Sequence, residues 1–132
     1  VQSIIGNTLL PQSYDAVLVL STIEHIGLPH YGQSPFPNGD LLALAEISRL
    51  LKPLGYVLVS VPAGRSQVTS WYRQYSPTDL RRLFAGWSTE ITYWGYMAGK
   101  YQHIDEHDVE HFSYDYRHGA DAVACIMARP QF

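Results

Sequence analysis

A glutamate and a histidine stand side by side where the first apolar run of the sequence gives way to polar residues, in the string Ser21-Thr22-Ile23-Glu24-His25. An imidazole titrates near neutral pH, so His25 is the side chain best suited to accept a proton. The structural alternative is that His25 hydrogen-bonds backbone at a strand-to-loop joint and Glu24 anchors the loop. A second group of ionisable residues is His103-Ile104-Asp105-Glu106-His107-Asp108-Val109-Glu110-His111. On a helix, His107 and His111 would share a face, and imidazoles among carboxylates could bind zinc. The His-Glu spacing of zinc hydrolases is absent, and the acidic, irregular surroundings favour a solvated loop, so no metal site is assigned. Pro62-Ala63-Gly64 reads as a tight turn, because one glycine is too little for a phosphate cradle.

The elements that must position these residues follow from periodicity. Tyr14 to Leu20 is too continuous for a half-exposed strand and too short for a lone helix, and reads as a buried parallel strand. Pro29, Gly32, Pro35 and Pro37 keep Ser21 to Gly39 a loop. From Asp40, Leu41, Leu44, Ile47 and Leu51 recur at helical spacing, with Asn38 or Asp40 as cap and Lys52-Pro53-Leu54-Gly55 as terminator. A second strand is expected at Tyr56 to Val61. Strand, helix, strand with short joints makes a crossover unit with both strands parallel, so the fold class is α/β.

Ser76-Pro77-Thr78-Asp79 opens a short helix with Leu80, Leu83 and Phe84 inward and Ala85-Gly86 closing it. Thr89, Ile91 and Tyr93 alternate with Ser88, Glu90 and Thr92 as a strand should. Met97 to His118 reads as an irregular connection. Ala120 to Ala128 is a final apolar strand expected to pair antiparallel with the one before it.

Composition bounds the function. The 132 residues are 46% hydrophobic and 16% charged, enough for one domain with a real core and outside the disordered class. A net charge of −3 with no basic run gives no footprint for nucleic acid. The lone Cys125 excludes an internal disulfide framework and a thiolate metal cluster, and fits a reducing, cytoplasmic setting. No apolar stretch approaches the roughly 18 residues of a membrane span, so no membrane partner is expected.

The order of elements and several strings resemble the C-terminal half of a class I S-adenosylmethionine-dependent methyltransferase, of the type 11-like kind. Tyr14-Asp15-Ala16-Val17 with Ser21 to Ile26 is similar to the fourth strand and its loop, and Leu50-Leu51-Lys52-Pro53-Leu54-Gly55 resembles the turn before the fifth. Val59 to Gly64 resembles that strand's end, Tyr75 to Leu80 the next helix start and Ala120 to Cys125 the closing strand. Glu24 to Leu28, Tyr31-Gly32 and Gly39-Asp40-Leu41 further resemble an uncharacterised methyltransferase-like subfamily with a longer loop.

The resemblance implies a partial Rossmann-like sheet, parallel strands plus a C-terminal antiparallel pair, flanked by helices and lacking the first strands. It implies S-adenosylmethionine as cofactor, flanked by Ser21, Thr22, Ile23 and Glu24, with His25 and Tyr75 as catalytic candidates. Tyr72 and Arg73 would bind the acceptor; alternatively both tyrosines pack on the sheet edge and Arg73 is solvated. Two departures stand out. Leu54 occupies a position where the family has glycine, and the glycine-rich loop and ribose-binding acid of nucleotide-binding folds are absent. Ile4-Ile5-Gly6-Asn7 resembles the tail of the third strand, so the domain is expected to be truncated at its N-terminus.

Four functional readings follow, of which metal-dependent hydrolysis at the His-rich string is the least favoured. The chain is part of a methyltransferase acting on an unknown small-molecule acceptor, and by itself lacks cofactor affinity. Alternatively it is a half-domain completed by a second copy or another chain through the strand at Tyr14 to Leu20, or a non-catalytic interaction module.

Overall fold

The computed structural model describes residues 9–113 and 119–131. The expected strand tail Ile4-Ile5-Gly6-Asn7 lies outside them. β1 (Tyr14–Leu20) occupies the span the apolar run indicated, and β2 (Leu51–Ala63) runs parallel to it, with Val17 opposite Val57 and Val19 opposite Val59. Between them lies α1 (Gly39–Leu50), completing the crossover unit.

The buried stripe of α1 is Ala43, Leu44, Ile47 and Leu50, whereas Leu41 is exposed. Neither expected cap operates as such. Asn38 holds the cap position in a left-handed conformation and makes no side-chain cap hydrogen bond, while Asp40 sits inside the first turn with its carboxylate turned inward. Gly39 is required there: a Cβ would overlap the Ile26 carbonyl oxygen, so only glycine lets the helix start this close to the loop after β1.

Lys52-Pro53-Leu54-Gly55 does not separate helix from strand, as the sequence reading had it. β2 begins at Leu51, and these four residues loop out of it, so that Tyr14 pairs with Leu51 but Ala16 already pairs with Tyr56. Leu54 takes φ +72° at the tip of the bulge.

β3 (Gln67–Val68) and β4 (Arg73–Gln74) form a separate two-stranded sheet. α2 (Pro77–Leu83) starts at a capping box: Ser76 Oγ accepts from the Asp79 amide at 3.1 Å, and Asp79 Oδ2 accepts from the Ser76 amide at 2.9 Å. β5 (Trp87–Met97) follows, longer than its alternating core suggested.

The stretch from Met97, expected to be irregular, opens instead with β6 (Lys100–Ile104), paired antiparallel with β5 through a turn at Ala98 and Gly99. Both turn residues have positive φ, the conformation that matches strand twist in a two-residue hairpin. β7 (Ala122–Pro130) pairs antiparallel with β5 as expected, and it also pairs antiparallel with β2. The main sheet therefore runs β1-β2-β7-β5-β6, a mixed sheet flanked by helices.

β1 is an edge strand among the described residues. Of its side chains only Val19 is buried, while Leu18 and Leu20 are 64% and 61% exposed. The expectation of a buried strand is corrected, because β1 pairs on one side alone and one of its faces is uncovered. No helix among the described residues is long and apolar enough to cross a membrane.

Candidate functional site

At the end of β1 the chain must leave the sheet, and it does so in one residue. Ser21 takes φ +47°, and its amide donates to the Ser60 carbonyl at 3.0 Å on the neighbouring strand. Thr22 Oγ1 donates back to the Leu20 carbonyl at 2.9 Å. A 3-10 turn, Ile23–His25, follows. It sends Ile23 into the core and Glu24 inward, both 1% exposed.

Glu24 is the electrostatic centre of this region. Burial pushes its carboxyl up to about 7, opposed in part by a backbone hydrogen bond. Its Oε2 has no hydrogen-bond partner among the described residues, and its Oε1 lies 3.6 Å from His25 Nε2. His25 Nδ1 is 2.6 Å from the Trp71 carbonyl oxygen. A carbonyl only accepts, so Nδ1 carries the hydrogen and Nε2 of the neutral ring presents a lone pair. The imidazole stacks on the Trp71 indole, with centroids 6.1 Å apart.

A cavity of about 270 Å³ opens at this point, with Ser21, Glu24, His25, Trp71, Tyr72 and Tyr101 among its walls. A second, of about 280 Å³, lies against Ser21, Thr22, His25, Tyr31 and Gln33. Ser21 and His25 belong to both.

Arg73 holds the turn from below. Its Nη1 donates to the Ile26 carbonyl at 2.7 Å and lies 3.4 and 3.5 Å from the Ile23 and Glu24 carbonyls. Its Nε is 3.8 Å from Asp40 Oδ2, which also accepts from the Tyr75 hydroxyl at 2.9 Å. Arg73 is thus mostly buried rather than solvated. Burial, reinforced by the Asp40 carboxylate, raises the Tyr75 phenol far above its ordinary value. Arg73, Tyr75 and Asp40 line a different cavity, of about 280 Å³, together with Asp79 and Arg82.

The structure therefore brings Ser21, Glu24, His25 and Tyr72 to one cavity and Thr22 to the adjoining one. Ile23 lines neither, its side chain being in the core, and Tyr75 faces Asp40 elsewhere. Sequence reading missed Trp71, whose carbonyl and ring both fix His25, and Asp40, whose carboxylate ties Arg73 to Tyr75. The aromatic pair Trp71-Tyr72 was the available signal for the first; Asp40 was hidden by its resemblance to a cap.

The His-rich string offers no comparable centre. His103 lies on β6 with its ring edge-on to Trp94 at 5.5 Å. Glu106–His111 is wound as a 3-10 turn, so at three residues per turn His107 and His111 do not share the face an α-helix would give them. No group of three or more His, Cys, Asp or Glu converges among the described residues.

A parallel β1–α1–β2 unit, with β7 inserted antiparallel between β2 and β5, is a Rossmann-like arrangement, and solved structures share it. The 1,6-didemethyltoxoflavin-N1-methyltransferase of Burkholderia thailandensis, solved with 1,6-didemethyltoxoflavin and S-adenosylhomocysteine, is similar at TM-score 0.61 and 16% identity, over 97% of this chain and 48% of that one. A possible histamine N-methyltransferase of Thermotoga maritima is similar at TM-score 0.54 and 20% identity, over 95% of this chain and 60% of that one. The YcgJ protein of Bacillus subtilis gives TM-score 0.61 and 11% identity, over 98% and 69%. The fold is that of the S-adenosylmethionine-dependent methyltransferases, and the chain spans about half the length of the first of these structures and 60% of the second. Residues 7–116 match the family described as Caenorhabditis protein of unknown function, DUF268, and the chain belongs to that family. No curated protein matches it.

Proposed function

We propose that the chain is the acceptor-facing part of an S-adenosylmethionine-dependent methyltransferase that acts on a small molecule. The observation that carries this reading is the placement of Glu24 and His25, beside two adjoining cavities, at the carboxyl end of β1 in a methyltransferase fold. Open α/β sheets bind ligands at that end. The residues present fit one flank of the cofactor. Ser21, Thr22 and Glu24 line the cavities, and Ile23 lies between them in the chain. S-adenosylmethionine, when bound, supplies an electrophilic methyl group.

The chain's own side chains do the rest. His25 Nε2 takes up an acceptor proton, its tautomer fixed by Trp71. Tyr72 lines the same cavity, and Arg73 and Tyr75 position the turn through the Ile26 carbonyl and Asp40. No segment of the sequence supplies a glycine-rich loop, so the 132 residues alone bind cofactor poorly and turn nothing over.

The exposed edge of β1 favours a complementary reading, in which a second copy or another segment pairs there and completes the site. Calorimetric titration with S-adenosylhomocysteine tests both parts. The folded chain alone is expected to give no saturable heat at millimolar ligand. Saturable binding is expected once β1 is paired with the glycine-rich half of a methyltransferase of this fold, supplied in trans or by fusion. Absence of binding in the paired form, with folding verified, would contradict the reading.

A further inference from the structure

Trp71 sets the hydrogen-bond polarity of two side chains at once. Its carbonyl accepts from His25 Nδ1 at 2.6 Å, which leaves Nε2 as the acceptor end of the neutral ring. Its indole Nε1 donates to the Tyr31 hydroxyl oxygen at 3.0 Å. The incoming N–H occupies one side of the phenolic oxygen, so the phenol's own hydrogen turns to the other side and is available to donate. His25 Nε2 is likewise available to accept, because Glu24 Oε1 stands 3.6 Å from it, beyond hydrogen-bond length.

Tyr31 and His25 both line the second cavity, of about 280 Å³, with Ser21, Thr22 and Gln33. Their rings meet edge-on with centroids 5.8 Å apart, close enough for one ligand group to touch both. The two walls are tied together. Gln33 Nε2 donates to the Leu28 carbonyl at 2.8 Å and to the His25 carbonyl at 3.4 Å, which fastens the segment bearing Tyr31 to the turn bearing His25. The His30 amide donates to the Ser70 carbonyl at 3.2 Å, beside Trp71. The cavity thus presents a donor and an acceptor whose roles are fixed before any ligand arrives.

A hydroxyl group complements that pair, since it has one hydrogen for Nε2 and lone pairs for the Tyr31 hydroxyl. An ether offers nothing to His25, and an alkylammonium offers nothing to Tyr31. A neutral amine could satisfy both only by giving Tyr31 its single lone pair, which would leave none to react. An alcohol oxygen has two. A site built on such a pair discriminates against ligands that leave one member unpaired.

We infer that the second cavity is a hydroxyl-binding site and that Tyr31 is its specificity-determining residue, one ligand oxygen donating to His25 Nε2 and accepting from the Tyr31 hydroxyl. That this hydroxyl is also the methyl acceptor rests on the methyltransferase reading. On that reading one oxygen lone pair forms the bond to the methyl carbon, the carbon–sulfur pair returns to sulfur and the hydroxyl proton passes to His25 Nε2. Tyr31 engages the other lone pair throughout.

The test is a titration of the 132-residue chain with n-butanol, its isomer methyl propyl ether and n-butylammonium, followed by the ring resonances of Tyr31 and His25. The alcohol is expected to bind about fivefold more tightly than the ether, the worth of one net hydrogen bond. Tyr31→Phe is expected to weaken the alcohol and the ether about fivefold each and to leave n-butylammonium unchanged. Tyr31 is 66% exposed, so the substitution leaves the core intact. A displaced segment would weaken all three ligands together, whereas loss of the donor separates them. Equal binding of the two isomers, or a Tyr31→Phe variant that treats n-butanol and n-butylammonium alike, would overturn the inference. The two claims fail separately. Tyr31-dependent alcohol binding without S-adenosylhomocysteine binding in the paired form would sink the methyltransferase reading and leave the hydroxyl site. S-adenosylhomocysteine binding with equal affinity for the two isomers would do the reverse.

Discussion

Arg73 Nη1 donates to the carbonyl oxygen of Ile26 across 2.7 Å, joining residues 47 apart in sequence. The same carbonyl is the atom that a Cβ on Gly39 would strike. The loop after β1 is therefore seated between the start of α1 and the guanidinium of β4, and Glu24 and His25 ride on it.

Removing the guanidinium should free that loop. Arg73→Ala leaves the Ile26 carbonyl without this donor and the Asp40 carboxylate without its neighbouring cation. A loss of about 2–4 kcal/mol is expected by denaturant titration, in the range for breaking a buried charged pair. Amide exchange at His25 and Ile26 should accelerate more than exchange in β5. Arg73→Lys keeps the charge without the fork and should recover only part of the loss.

Glu24 makes stability fall as pH rises. Between its ordinary value of 4.5 and about 7 the folded chain holds a proton that the unfolded chain has lost, so unfolding releases it and is progressively favoured. Above about 7 the folded state carries the buried charge in full. The contribution is about 3 kcal/mol, present at acid pH and lost by pH 8. Glu24→Gln should remove that part of the slope, measured as denaturation midpoints from pH 4 to pH 8. An unchanged slope in the variant would show that the carboxyl ionises normally.

Leu54 sits in the left-handed region, φ +72°, and is 92% exposed. Leucine pays for that conformation in steric strain and gains no packing from it. Leu54→Gly should stabilise the chain by about 0.5–1 kcal/mol, the strain relieved less the extra freedom of an unfolded glycine. Thermal denaturation should shift upward by about 2–5 °C.

The capping box of α2 gives a prediction in the opposite direction. Ser76→Ala removes the acceptor of the Asp79 amide and should cost about 1 kcal/mol. Ser76→Asn, which can cap in the same way, should cost less.

What the sequence revealed was local. The bounds of β1, the hydroxyl-proline-carboxylate start of α2 and the antiparallel pairing of β7 with β5 follow from periodicity and capping chemistry acting over a few residues. β6 was not legible, because its turn is Ala98-Gly99 rather than an asparagine or aspartate pair and its strand is polar. The four-residue bulge in β2 looked like a helix stop, since proline and an expected glycine signal both. Glu24 and His25 could be picked out as neighbours. Their chemistry depends on the Trp71 carbonyl, 46 residues from His25, and on burial of the carboxyl, neither of which leaves a local trace. Tyr75 was chosen for its hydroxyl, which the structure commits to Asp40.

On the proposed function, the turn at the end of β1 forms one flank of a cofactor and acceptor site. Amide shift mapping of the chain paired with a glycine-rich methyltransferase half tests it most directly. On addition of S-adenosylhomocysteine, the amides of Ser21, Thr22, Ile23 and Glu24 are expected to move with the binding isotherm, while those of α2 stay still. Saturable binding that leaves Ser21 to Glu24 unmoved would contradict it.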